Sequence, residues 1–332
     1  MYLSPSVLRI SYELIIARHP SICYTFLMAE IIEEKIRVGI SACNAGAKVR
    51  YNRAGWDRLA PLGRERDGFI WTPVCPEVMA GLGVPRHPIR LVSGNGDDFW
   101  EGAATIKNKQ GLEVTEQCKE GSLSCLDAVR RAGAEAFVFM EGSPTCGVYR
   151  TTLKNKRLGK PPGVFGSLLL KEELFLVPAL DLESPLKWWD WRRRLHAFAW
   201  LKRREIETKN DMYDAWHLLK FLCQEVDERR ARELGHEIAE LPKHASREEI
   251  GSWKRETLFL LRKPSDIKRI ETAMNKHFAY YRKHINPEAG EMVPPDREMA
   301  KYKFVAELLQ MEKKAVLEDF LFAGTPVIYR GR

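Results

Sequence analysis

The run Ala136-Phe-Val-Phe-Met140 is apolar at every position, with none of the alternation expected of a strand that shows one face to water. It follows a helical stretch expected over 123–132 and stops at Gly142-Ser-Pro, a strong break in the chain. Ile36-Arg-Val-Gly-Ile40 reads as a first strand and Phe175-Leu-Val-Pro-Ala179 as a further short one. Strand, helix and strand with a loop at each strand end make an α/β plan, in which ligands bind at the carboxyl ends of the strands.

Beyond about Trp188 glycine and proline thin out and a 3.6-residue period takes over. Ala215, Leu218, Leu219, Leu222 and Val226 line one helical face, and Val305, Leu308, Leu309 and Val316 another. The expected fold class is therefore α/β: an N-terminal α/β domain followed by an all-α C-terminal domain. Residues 1–35 read as an extension, with Met28 a candidate start, 36–185 as the α/β domain and 186–332 as the helical domain. The boundary falls near 182–189.

With 45% hydrophobic and 30% charged residues over 332 positions, the composition is that of a soluble globular protein. No stretch approaches the ~20 uninterrupted apolar residues of a membrane helix. Arg9, Glu13 and Arg18 interrupt the apolar N-terminus and argue against a secretory signal, so a cytoplasmic setting is expected. The net charge of +8 is divided evenly between the two halves. It is compatible with a polyanionic partner and equally with none.

Seven cysteines, an odd number without an export signal, favour reduced thiols over a disulfide framework. Three share a context that the others lack. Cys43 follows the first strand in Val38-Gly-Ile-Ser-Ala-Cys-Asn-Ala-Gly46. Cys75 sits in Thr72-Pro-Val-Cys-Pro-Glu-Val78, and Cys146 in Glu141-Gly-Ser-Pro-Thr-Cys-Gly147. Each lies where a strand runs into a Gly- or Pro-bearing loop, so the three could converge at one sheet edge. Their wide spacing excludes the local zinc-ribbon pattern and the bacterial ferredoxin run. It suits a 4Fe–4S cluster with one iron free of protein ligands, and it suits buried structural thiols as well.

Val-Gly-Ile-Ser-Ala-Cys with Val49-Arg-Tyr51, Pro-Val-Cys-Pro-Glu with Gly81-Leu-Gly-Val-Pro-Arg86, and Ser-Pro-Thr-Cys-Gly together resemble the thiouracil desulfidase (TudS) family over about 36–182. Thr145 stands where that family usually has a second serine. The resemblance implies a 4Fe–4S cluster held by Cys43, Cys75 and Cys146, whose open iron binds a thiocarbonyl sulfur that leaves as sulfide. In the helical half, Trp216-His-Leu-Leu-Lys220, Arg232-Glu-Leu-Gly-His-Glu-Ile-Ala239 and the ending Gly324-Thr-Pro-Val resemble the domain that follows in longer relatives. Those relatives look like desulfidases acting on 4-thiouridine in tRNA.

Glu77, two residues past a ligand motif, is the leading acid/base candidate; it also reads as an acidic residue at a helix start. Ser143 and Ser41 are placed to hydrogen-bond the substrate or its sulfur, or serve as ordinary loop serines. Arg50, Arg53 and Arg86 adjoin the motifs and suit a nucleotide phosphate or surface pairing. Lys154, Lys156, Arg157 and Lys160 form one basic run. Arg192, Arg193 and Arg194 with Lys202, Arg203 and Arg204 form another, interleaved with Trp188, Trp189, Trp191 and Trp200, which suits RNA with splayed bases or an interdomain core. Cys118, Cys125 and Cys223 read as core. The function expected is removal of sulfur from a thiolated pyrimidine, above all 4-thiouridine in tRNA. The alternatives are a free-thiouracil desulfidase and a non-catalytic RNA-binding or sensory protein.

Overall fold

A computed structural model describes residues 30–151, 161–284, 305–310, 312 and 324–331. The extension before Met28 and the basic run from Lys154 to Lys160 lie outside the described residues. So does Val316.

The chain opens with β1 (Glu30–Ile32) and β2 (Ile36–Ser41), then β3 (Phe69–Val74) and the short helix α1 (Pro76–Met79). An antiparallel pair follows, β4 (Ile89–Val92) and β5 (Thr105–Asn108), with α2 (Gly96–Trp100) between its strands. Next come α3 (Thr115–Arg131), β6 (Ala136–Phe139), α4 (Val164–Lys171) and β7 (Phe175–Pro178). β3, β2, β6 and β7 form, in that order, a sheet whose neighbours all pair in parallel. The chain steps from β2 to β3 on one side and later to β6 on the other, so β2 sits at the switch point where a doubly wound sheet opens a crevice.

Both faces of this sheet are covered, which is why β6 is apolar at every position. Ile36, Val38 and Ile40 of β2 join Ala136, Val138, Phe175 and Val177 in one cluster with Trp188, Trp191, Leu195 and Phe198. Phe137, Phe139 and Leu176 point the other way, onto Leu126 and Val129 of α3 and Phe165 and Leu169 of α4. At Gly39 a Cβ would stand 2.4 Å from the Phe137 ring. Gly39→Ala is therefore expected to cost about 2–3 kcal/mol by overpacking. Chemical denaturation reads the loss, and a Phe137→Leu second change should recover part of it.

The residues that cover the β2–β6 face belong to α5 (Pro185–Arg203), the first of the long helices. The same cluster runs on into α6 (Lys209–Val226), α7 (Glu228–Glu240) and α8 (Arg247–Arg262). Helix α9 (Ile267–His284) follows. Each start from α5 to α8 has a side-chain cap, from Ser184, Thr208, Asp227 and Ser246, satisfying amides that would otherwise lack partners. The face predicted from Ala215 to Val226 is buried throughout.

One expectation needs correction. The C-terminal part is not all-α: β8 (Val327–Tyr329) pairs in parallel with β1, from the other end of the chain. Val-Ile-Tyr has strand propensity, but three residues acquire a partner only through the fold. For the tryptophan–arginine segment the structure supports the core reading over the RNA-facing one, with Lys202 and Arg203 exposed at its end. Trp188, Trp189, Trp191 and Trp200 are buried, and so are Arg193 and Arg194. Trp188 donates its indole N–H to Glu65 at 2.7 Å and Trp191 to Asp181 at 2.9 Å. Arg192 pairs with Glu65 and Glu312 at 3.0 Å each, Arg203 reaches Glu135 at 2.8 Å, and Arg204 lies 4.9 Å over Trp200. Charges on a helix that covers a sheet must be paired to be buried. Among the described residues no helix is long and apolar enough to cross a membrane.

Candidate active site

The carboxyl ends of β3, β2 and β6 are adjacent, and each delivers a cysteine. Cys43 lies in a 3-10 turn, Ala42–Asn44, directly after β2. Cys75 follows β3 and is the residue before α1, whose first position is Pro76. Cys146 follows β6 on a loop closed at its neck by Gly142 N–H donating to the Arg150 carbonyl at 2.9 Å. Inside that loop the Glu141 carboxylate accepts the Tyr149 and Arg150 amides at 3.3 and 3.0 Å. The first turn of α4 donates amides to the Pro144 and Thr145 carbonyls, fixing the loop from below. Gly147 and Gly166 allow this approach: a Cβ on Gly166 would meet the Gly147 carbonyl at 2.3 Å.

All three cysteines open onto one cavity of about 410 Å³, together with Ser41, Val49, Arg50, Tyr51, Glu77, Arg86, Met140, Ser143 and Thr151. Burial pushes the Cys43 thiol up to about 11, against the pull of the Arg50 guanidinium beside it. Burial also raises Cys75, opposed by the Val78 amide at the start of α1. Cys146 is raised well above the usual thiol range, by burial first and then by the charges of Cys75 and Cys43. Three anionic sulfurs so placed need a positive core between them. Among the described residues no three His, Cys, Asp or Glu side chains gather around a single metal-ion position. Cysteine thiolates are the ligands that iron–sulfur clusters take, so the donor chemistry of the three fits such a group.

Glu77 is held rather than loose. Arg86 grips one carboxylate oxygen through Nε at 2.9 Å and through a second nitrogen, while the Thr145 hydroxyl donates to the other at 2.9 Å. The Ser143 and Thr145 hydroxyls lie 2.9 Å apart, and Ser143 Oγ accepts the Cys146 amide at 3.1 Å. A continuous polar chain thus runs from Glu77 to the backbone of Cys146.

The predicted site residues separate here. Ser41, Glu77 and Ser143 line the cavity with the cysteines. Ser41 accepts the Met140 amide at 3.1 Å and stands beside Cys146, so it ties β2 to β6 as well as facing the cavity. Arg86 lines the cavity as well and shows the pairing with an acid that is one of its two readings: its donors go to Glu77, the Val49 carbonyl at 2.8 Å and the Gly83 carbonyl at 3.0 Å. It clamps two loops and a carboxylate. Arg53 is exposed in a turn at φ 59° and is not among the cavity residues. Arg50 does reach the cavity, with its guanidinium 4.7 Å over Trp56. Thr145 and Thr151 were missed. Thr145 was marked only as the odd residue in its motif, and nothing local marks Thr151.

Of the other cysteines, the three among the described residues lie in the core. Cys118 packs with Phe99 and Ile106. Cys125 donates to the Met79 thioether at 3.2 Å, and Cys223 is fully buried on α6. Burial lifts the thiols of Cys118 and Cys125 to about 12 each.

Residues 38–180 match the sequence pattern of the 2-thiouracil desulfurase family. The uncharacterised protein YbbK of Bacillus subtilis (strain 168) is 32% identical over 152 residues, covering 44% of this chain and 98% of that protein. The solved structure of a 4Fe–4S-dependent thiouracil desulfidase, TudS, is similar over 43% of this chain and 90% of its own, at 27% identity and a TM-score of 0.34. The part of the chain that carries the parallel sheet and all three cavity cysteines is thus the part with relatives, and through it the chain belongs to the 2-thiouracil desulfurase family.

Proposed function

We propose that this protein removes sulfur from a thiolated pyrimidine by a non-redox, hydrolytic route, using a 4Fe–4S cluster held by Cys43, Cys75 and Cys146. The observation that carries this reading is the opening of three cysteines, from three adjacent parallel strands, onto one cavity. Such a cluster supplies one iron without a protein ligand, a Lewis acid for a thiocarbonyl sulfur.

The chain's own residues then do the proton work. Water adds its oxygen to the ring carbon, the carbon–sulfur bond breaks, and sulfur leaves as hydrogensulfide carrying one of the water's two protons, so no electrons are exchanged. Glu77 is the acceptor for the water's other proton. Arg86 holds it oriented, and Thr145 and Ser143 link it to the loop of Cys146. The apolar wall of buried Val74 and Met140 and half-buried Val49 limits bulk water around the sulfur.

Free thiouracil accords with the family's description. The second form, 4-thiouridine within tRNA, is supported by Lys48, Arg53, Arg90 and Arg150, exposed side chains on the segments that flank the cavity. Arg192, Arg193 and Arg194, being buried or paired, lend it nothing. The test is sulfide release by anaerobically reconstituted protein from 2-thiouracil, 4-thiouracil and thiolated tRNA at two salt concentrations. Release from the free bases, insensitive to salt, assigns the small substrate. Release from tRNA that falls steeply with salt assigns the nucleic acid. No release from any of them, with the cluster fully loaded, rejects the desulfidase.

A further inference from the structure

Thr151 stands five residues beyond Cys146 and lines the same cavity. It is 3% exposed, and its hydroxyl oxygen is buried with no hydrogen-bond partner among the described residues. The neighbouring serine and threonine hydroxyls differ. Ser41 accepts from Met140, Ser143 accepts from Cys146, and Thr145 donates to Glu77. An unpaired buried hydroxyl destabilises a fold, and a valine of the same shape would remove the penalty. The backbone before Thr151 is secured, since Arg150 gives its amide to Glu141 at 3.0 Å and its carbonyl accepts Gly142 N–H at 2.9 Å. Thr151 thus borders a cavity with room for a small planar ring and carries a hydroxyl that no described residue pairs.

We infer that Thr151 is a specificity residue: its hydroxyl hydrogen-bonds the amide edge of the pyrimidine, at the exocyclic oxygen or ring N–H, while the substrate sulfur faces the three cysteines. The inference rests on the thiopyrimidine reading and adds a recognition contact to it. A thiolated pyrimidine carries C=S, N–H and C=O side by side on one edge. A hydroxyl both donates and accepts, so it serves either the ring N–H beside the sulfur-bearing carbon or the carbonyl oxygen beyond that N–H. Sites that leave a polar group unpaired in the absence of ligand discriminate against ligands that cannot pair it.

Uracil is the product from both 2-thiouracil and 4-thiouracil and contains no sulfur, so its binding reports the ring edge alone. The experiment titrates uracil and uridine into cluster-loaded wild type, Thr151→Val and Thr151→Ser, and measures sulfide-release kinetics and melting midpoints on the same samples. The expected result for Thr151→Val is about tenfold weaker binding, from loss of one hydrogen bond, and a KM raised by a similar factor with kcat little changed. Its melting midpoint rises by roughly 2 °C, because an unsatisfied hydroxyl is gone. Thr151→Ser restores binding and KM. Wild-type binding and KM in Thr151→Val, alongside normal sulfide release, overturn the role of Thr151 and leave the desulfidase standing. A fall in midpoint with equal loss of binding in both variants also overturns it, marking the residue as structural. A wild type that binds neither ligand and releases no sulfide overturns both readings.

Discussion

Alanine at Cys43, Cys75 or Cys146, one at a time, removes the visible iron–sulfur absorbance and lowers sulfide release by more than ~100-fold, whereas alanine at Cys118 retains both. Changing groups outside the ligand shell already costs ~10- to 100-fold in metal affinity or activity, so loss of a ligand costs more. The contrast with Cys118 rests on geometry rather than on residue type. Cys118 faces Phe99, Ile106 and Val114 in a separate apolar cluster, and its thiol is not among the cavity residues. The measurement is iron and sulfide content with absorbance spectra after anaerobic reconstitution, followed by a sulfide-release assay. A full cluster in any of the three single variants, or its loss in Cys118→Ala, would sink the ligand assignment.

The second large effect lies away from the cavity, in the buried charges of α5. Asp190 sits between Arg193 and Arg194, accepting from Arg193 at 2.7 Å and from Arg194 at 2.6 Å, and all three are almost fully buried. Arg193 also reaches Glu225 of α6 and the Gly324 carbonyl, and Arg194 reaches the Leu261 carbonyl at the end of α8. Asp190→Asn keeps the volume but takes from Arg194 its carboxylate partner and leaves Arg193 with Glu225 alone. Breaking one partner out of a buried ionic group costs about 3–5 kcal/mol, a large share of the 5–15 kcal/mol of a typical domain. Urea denaturation should show the loss, and an unchanged midpoint would refute it.

The same cluster gives the fold an acid limit. Burial alone would raise the Asp190 carboxyl, but Arg194 and Arg193 outweigh it and hold it below the ordinary range. Glu225 is likewise raised by burial and brought down to about 2 by Arg193 and His277. Each carboxylate has a folded pKa below its unfolded one. Its stabilisation is complete above the unfolded value of about 4 and is lost as pH falls through the folded value. Stability should therefore decline between about pH 4.5 and 2, and Asp190→Asn should flatten that decline.

Much of the site is legible along the chain because it is built from strand ends. Cys43, Cys75 and Cys146 are each marked by the transition from an apolar run to Gly or Pro, and that transition is local. Glu77 is similarly local, two residues past Cys75. What Arg86 does is not. Its partners include the Val49 carbonyl, 37 positions away, and no pattern around residue 86 points to them. Thr151 is harder still, since an unpaired hydroxyl can be recognised only after every neighbour has been placed.

The sequence by itself determined the α/β plan, the helical faces of the second half and the three cysteines, because apolar periodicity and Gly/Pro punctuation act over a few residues. The tertiary structure alone decided which strands are neighbours, and hence that all three cysteines share one cavity. It also decided that Arg193 and Arg194 serve the core rather than a surface, and that β8 closes on β1. Charge and aromaticity look the same on a solvated helix as on a buried one. The difference is made by whatever packs opposite, and here that is a sheet, three helices and carboxylates contributed by distant parts of the chain.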